Sequence, residues 1–236
     1  MKLYFLAPLF LQKLIWIPTR LILVIFGHIQ IYGLEHLRGL KSPVIFACNH
    51  SSEIDPILIP ASLPFFSNFS PIFYTSRERG FYKNSGIRKF FYGGLLFKIW
   101  GSYPVFAGLR DYKKSLFHHI SIINSGGSLC IFPEGSITQD GSIQPAHGGV
   151  AYLADHTNSV IIPVKISGVF RTSLVNFIKR KNNIYVVFGR PVHKAELFQK
   201  IENEAGSDQQ SYKSKANYVM EIIKSLNEKS HQVFNN

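Results

Sequence analysis

Five short apolar runs, each rich in β-branched or aromatic residues and closed by turn residues, punctuate the chain at Pro43–Cys48, Pro71–Thr75, Ser128–Phe132, Val160–Ile166 and Ile184–Phe188. Between them lie helix-compatible stretches at Pro56–Leu63, Ile87–Ile99, Asp111–Asn124 and Gly149–His156. A chain that alternates in this way covers a sheet with helices. The spacing therefore predicts an α/β domain with a central, mostly parallel or mixed sheet flanked by helices. Lys194–Glu204 and Gln210–Lys229 read as closing helices, and no internal repeat or long linker interrupts the pattern. At 236 residues the chain suits one large domain over residues 28–236 behind an appendage over residues 1–27.

The appendage is nearly all apolar. From Leu3 to Phe26 only Gln12, Lys13, Thr19 and Arg20 are plainly polar, and the segment is long enough to cross a bilayer. On a helix, Lys2, Lys13 and Arg20 fall within about 20° of one line. That cationic stripe points to a monotopic, membrane-associating helix lying in the interface with its basic edge toward anionic lipid, in preference to a single spanning anchor. Pro8 and Pro18 are expected to divide it into two pieces.

Composition agrees with a membrane surface. Lys and Arg outnumber Asp and Glu by 26 to 14, a net charge of +12, while 46% of residues are hydrophobic, which excludes a disordered basic tail. The basic residues are scattered among apolar ones and no aromatic RNA-binding signature is present, so no nucleic-acid partner is expected. Ser85–Trp100 mixes Arg88, Lys89 and Lys98 with Phe90, Phe91, Tyr92, Phe97 and Trp100, suited equally to a lipid interface or to a core helix with snorkelling lysines. Cys48 and Cys130 each sit in an apolar run, which reads as two buried thiols in a reducing compartment and hence a cytoplasmic-face location.

Common chemistries drop out by motif. No phosphate-binding glycine loop, G-x-S-x-G elbow, C-x-x-C or H-E-x-x-H occurs. Two segments remain. Asn49-His50-Ser51-Ser52-Glu53-Ile54-Asp55 directly follows a predicted strand, and Asp55-Pro56 looks like a helix start that leaves His50 on the preceding loop. Five steps along a regular helix would separate the two side chains by about 140°, so they meet only if such a loop intervenes. Taken alone, the motif is also consistent with an Asp55 that merely caps and an idle His50. A metal site at His50 and Glu53 lacks a second ligand pair. The other segment is Phe132-Pro133-Glu134-Gly135-Ser136-Ile137-Thr138, after another strand, followed by Asp140-Gly141 and His147-Gly148-Gly149. A carboxylate beside a flexible glycine at a strand end suits polar substrate recognition, or a solvated turn.

Together these blocks resemble the glycerolipid acyltransferase family, the group that includes lysophosphatidic acid acyltransferases. Gly33-Leu34-Glu35-His36-Leu37 resembles the family's lead-in, His50 to Asp55 its H-x-x-x-x-D motif, Phe132 to Gly135 its F-P-E-G motif, and Ile162-Pro163-Val164 with Gly168 its last block. The resemblance implies transfer of a fatty acyl group from acyl-CoA or acyl carrier protein to the free hydroxyl of a lysophospholipid, with no resident cofactor or metal. Chemistry concurs, because an alcohol needs a base to attack a thioester at neutral pH. His50 would be that base and Asp55 would orient it. Glu134, Gly135 and Ser136 are then substrate-binding candidates.

Two departures bear on the acceptor. Ile137 stands where the family carries arginine, and aligning Pro104-Val105 puts Ala107 at its other arginine position, with Arg110 the nearest cation and a further substrate-binding candidate. A phosphate dianion needs charge-assisted donors, so a phosphomonoester acceptor loses support. The Ser136-Ile137-Thr138 variant is similar to that of 2-acylglycerophosphoethanolamine acyltransferases, which implies reacylation of a lysophospholipid. A non-catalytic, membrane-surface lipid-binding protein that keeps the fold is the alternative.

Overall fold

The computed structural model describes residues 3–78, 95–106, 108–109, 111–200 and 208–227. Helix α1 (Leu3–Gly27) leads to β1 (Gln30–Tyr32), β2 (Val44–Cys48), α2 (Asp55–Ser62) and β3 (Ile72–Ser76). Next come α3 (Leu95–Trp100), β4 (Ser102–Pro104), α4 (Tyr112–Ser115), α5 (Phe117–Asn124) and β5 (Ser128–Ile131). The chain continues through α6 (Gly149–Thr157), β6 (Val160–Ser167), α7 (Leu174–Ile178), β7 (Tyr185–Phe188), α8 (Lys194–Lys200) and α9 (Asp208–Ser225).

The described strands form one sheet in the order β1-β7-β6-β2-β5-β3-β4. Every neighbouring pair is parallel except β6 with β7. All five predicted strands are present. Strands β1 and β4 were not predicted: each is three residues long, and they lie at the two edges, where one-sided pairing leaves no periodic signal to read. Of the Ser85–Trp100 segment, residues 85–94 lie outside the described residues. Its end is helix α3, whose Trp100 stacks near Tyr74 of β3.

Central strand β2 is buried along its whole length because its side chains alternate between two cores. Ile45 and Ala47 join the α5, α6 and α9 side with Ile123, Leu153 and Met220. Val44, Phe46 and Cys48 join the α1 and α2 side with Leu23, Leu58 and Ile59. The chain thus leaves β2 toward α2 on one face and leaves the adjacent β5 toward α6 on the other. Neighbouring parallel strands whose exits diverge open a crevice at their C-terminal ends. Both sequence motifs start there.

Helix α1 runs unbroken through Pro8 and Pro18, contrary to the expected division. A proline costs one helical hydrogen bond, and contacts to the domain hold this helix together along its length. Phe5 packs edge-on against Phe73. Buried Gln12 donates to Ile72 O (2.8 Å) and Trp100 O (3.1 Å) and accepts from Ile72 N–H (3.0 Å). Beyond it, Trp16 Nε1 donates to Leu63 O (3.1 Å) and Arg20 Nη1 to Ala61 O (3.0 Å). The direction of the charges also differs from the sequence reading. Arg20 satisfies one carbonyl, Ala61 O, at the C-terminal end of α2, where the helix dipole favours a cation, and Lys13 lies over the Phe65 ring at 4.7 Å. The outward stripe is apolar instead: Leu6, Phe10, Leu14, Ile17, Leu21 and Ile25 are 42–70% exposed. By length and composition α1 could cross a membrane.

Candidate active site

At the end of β2 the chain is pinned before it turns. Asn49 is buried, and its amide pairs with the backbone of Ile166 on β6 through both atoms, donating to the carbonyl at 2.9 Å and accepting from the N–H at 2.7 Å. This imitates one more rung of the sheet, so His50 starts its loop from a fixed point. Its ring stacks on Phe132, the first residue after β5, with centroids 4.1 Å apart and planes 20° from parallel.

His50 Nδ1 lies 2.9 Å from Asp55 Oδ2. That oxygen also accepts the backbone N–H groups of Ser51 (2.7 Å) and Ser52 (2.8 Å), and Asp55 is fully buried. Asp55 opens α2, with Pro56 behind it, but its carboxylate turns back to the loop that precedes the helix. It therefore does not cap α2 in the expected way. The loop curls around the carboxylate and carries His50 back to it, which overcomes the angular separation of a five-residue spacing. Three hydrogen bonds converging on one oxygen of a buried carboxylate fix its orientation. With Nδ1–H donating to it, the basic lone pair of the ring is on Nε2, and the side chain stays 17% exposed.

The second motif is stitched to the first. Glu134 is only 5% exposed and accepts from His50 N–H at Oε1 (2.7 Å) and from Gln144 N–H at Oε2 (2.8 Å). Thr138 N–H donates to His50 O at 2.9 Å. Burial raises the pKa of the Glu134 carboxyl, against the opposing pull of the N–H groups of Gln144 and His50. Gly135 sits at φ +73°, and a Cβ there would come within 2.9 Å of the His147 ring, so the glycine meets both a conformational and a steric demand. Ser136 is exposed on the same turn. Asp140 closes it, and the hydroxyl and N–H of Ser142, with the Thr138 hydroxyl, lower its pKa to about 2. Arg110 and Ala107 lie outside the described residues.

Beside the dyad lies an open cleft of about 700 Å³. Ser51, Ser52 and Ile54 line one side, Ile137, Thr138 and Gln139 another, and Val169 to Thr172 a third. Ile137 does occupy the cleft, so the position of the family's arginine is apolar here. Two arginines outside any motif stand close by. Arg77, just after β3, forks onto the carbonyl of Gly135 through Nε (3.2 Å) and Nη2 (2.8 Å). Arg171 lines the cleft, donates from Nη2 to Gln139 O (2.7 Å) and lies over the Phe170 ring at 5.1 Å. The only sequence sign of either was its place directly after a predicted strand or the last block.

Residues 28–167 match the family model described as Acyltransferase. The chain belongs to the acyltransferase family. An Arabidopsis thaliana relative, the chloroplastic 1-acyl-sn-glycerol-3-phosphate acyltransferase LPAT1, is 25% identical over 77% of this chain and 48% of its own length. The chloroplastic 1-acyl-sn-glycerol-3-phosphate acyltransferase BAT2 of Brassica napus is 23% identical over 73% of this chain and 48% of its own length. This acyltransferase-family chain thus spans about half the length of the curated relatives it matches. Among solved structures it resembles the 1-acyl-sn-glycerophosphate (LPA) acyltransferase PlsC from Thermotoga maritima, with a TM-score of 0.57 and 15% identity over 96% of this chain and 80% of that one. That likeness concerns the fold, and it agrees with the α/β architecture read from the sequence.

Proposed function

We propose that this protein is a membrane-associated O-acyltransferase that moves a fatty acyl group from acyl-CoA or acyl carrier protein to the free hydroxyl of a lysophospholipid, in phospholipid synthesis or remodelling. The observation that carries the reading is the His50–Asp55 contact at 2.9 Å beside an open cleft. Nε2 of His50 takes the acceptor hydroxyl proton as the oxygen attacks the thioester carbonyl. Asp55 stabilises the imidazolium so formed and keeps the ring oriented. Collapse of the tetrahedral intermediate breaks the C–S bond, and the imidazolium proton goes to the departing thiolate. No covalent acyl-enzyme is required. Glu134 serves as the clamp between the two loops, since both its oxygens accept backbone N–H groups from them.

The named relatives support a glycerophospholipid acceptor, and Ile137 favours a headgroup that asks less of a bidentate cation than a phosphomonoester does. The apolar stripe on α1 supports membrane association. Free thiols at Cys48 and Cys130, buried with sulfurs 3.7 Å apart, suit a reducing cytoplasmic face. The test is acyl transfer from labelled acyl-CoA and acyl carrier protein to a panel of lysophospholipids, run with the wild type and with His50→Ala. Turnover that requires His50 supports the reading. Wild-type turnover of no acceptor would point to the non-catalytic lipid-binding alternative, and full activity of His50→Ala would remove the mechanism.

A further inference from the structure

The chain between β6 and β7 has two parts. Val169 to Thr172 form a wall of the cleft, and residues 174–178 then wind into α7. No residue of α7 is buried, although its sequence is Leu-Val-Asn-Phe-Ile. On a helix Leu174, Val175 and Ile178 fall within about 100° of one another. They are 72%, 59% and 57% exposed. Phe177 turns the other way and packs against Phe26 near the end of α1, with ring centroids 6.1 Å apart. Arg180, in the left-handed region at φ +58°, donates from Nε to Ile25 O at 2.6 Å. Helix α7 is thereby tied to the C-terminal end of α1, whose last two turns expose Leu21, Ile22, Val24 and Ile25 as well. One aliphatic surface runs from α1 onto α7. Its border is cationic: Lys179, Arg180 and Lys181 follow α7 directly, and the sequence holds no Asp or Glu between Asp155 and Glu196.

We propose that α7 is a second membrane contact, whose Leu174, Val175 and Ile178 enter the apolar edge of an anionic bilayer beside α1 while Lys179 and Lys181 meet lipid phosphates. This rests on the membrane-associated reading of α1 given above. Charge selects lipid over a second copy of the chain, because a net charge of +12 repels itself and the patch offers no acids to answer its lysines. Because the same loop builds a wall of the cleft, docking α7 sets that wall at the headgroup layer, where a lysolipid acceptor resides.

The test uses the full chain with an environment-sensitive dye on single cysteines introduced as Leu174→Cys, Phe10→Cys and Gln210→Cys; native Cys48 and Cys130 are fully buried. The vesicles are phosphatidylcholine, with or without phosphatidylglycerol. The expected result with anionic vesicles is a blue shift and quenching by spin-labelled lipid at positions 174 and 10, with position 210 remaining aqueous. An aqueous dye at 174 beside an inserted dye at 10 overturns the proposal and leaves the reading of α1 standing. Aqueous dyes at both positions overturn the two together. A blue shift at 174 that grows with protein concentration without vesicles marks a contact between copies and also overturns it. Lys179→Gln combined with Lys181→Gln is expected to weaken partitioning into anionic vesicles about 25-fold, at about fivefold per lysine. Partitioning into pure phosphatidylcholine should stay the same, and undiminished anionic binding would contradict the role of these cations.

Discussion

The walls of the cleft are built to different standards. On the β2 and β5 side, Asn49, Asp55 and Glu134 are buried, and each engages backbone groups at two places. On the β6 side, Arg171 is exposed, and its fixing points are Gln139 O and the face of Phe170. The first wall resists movement because breaking any of its contacts strands a buried polar group, which costs about 1–3 kcal/mol. The second is free to change at little cost, since exposed substitutions shift stability by about 0.5 kcal/mol or less. A fixed wall suits proton transfer, which fails at small displacements, and a replaceable wall suits recognition of a variable headgroup.

If that division holds, substitutions on the two walls should separate rate from binding. His50→Ala is expected to lower kcat by about 10³- to 10⁴-fold while the chain still folds, with only a modest fall in melting temperature from the lost contacts to Asp55 and Phe132, measured by acyl transfer and thermal denaturation. Loss of folding in this variant would instead make His50 part of the scaffold. Asp55→Asn should cost less in rate, about 10²-fold, because the base survives in a poorly held orientation; it should also destabilise, because with its amide oxygen toward the Ser51 and Ser52 N–H groups it buries an NH2 at the Oδ1 position, which has no partner. Equal rate losses in the two variants would mean that Asp55 does more than orient.

Glu134→Gln should cost about 1–3 kcal/mol at neutral pH or below by leaving one of two backbone donors without an acceptor, and about tenfold in kcat through the loosened loops. Its pH dependence has a definite sign. Burial raises the folded pKa of Glu134, so the folded state binds the proton more tightly than the unfolded chain does. The stabilisation from that proton is complete below the ordinary glutamate pKa and is lost as pH rises through the elevated value. Denaturation across the acid range should therefore show the wild type losing stability relative to Glu134→Gln as pH rises, and a parallel pair of curves would refute the burial argument. Smallest of all, Arg171→Ala should raise KM for an anionic lysolipid about five- to tenfold while kcat and melting temperature stay put. A fall in kcat alone would place Arg171 on the chemical wall.

Much of this was visible in the residues. The five internal strands announced themselves because burial on both sides of a sheet demands unbroken apolar runs, as in Val44–Cys48, whereas the edge strands Gln30–Tyr32 and Ser102–Pro104 satisfy no such demand. His50 and Asp55 could be paired because their spacing only makes sense around a loop. The actual route was hidden: Asp55 faces backward to Ser51 and Ser52 rather than forward along α2. Arg20 and Lys13 looked like a lipid-facing edge, since helical spacing shows which residues share a face without showing what that face meets. Their partners at Ala61 and Phe65 lie 41 and 52 positions further along the chain.

Local chemistry, then, decided the fold class, the family resemblance and which histidine and aspartate to pair, because periodicity, turn residues and reactive side chains are properties of neighbouring positions. Tertiary packing decided that α1 stays whole through two prolines, that Glu134 joins loops from separate strands, that Arg77 reaches the Gly135 carbonyl and that Arg171 lines the cleft. Those outcomes depend on hydrogen bonds and burial between segments tens of residues apart, and no spacing along one segment can encode where its distant partner will lie.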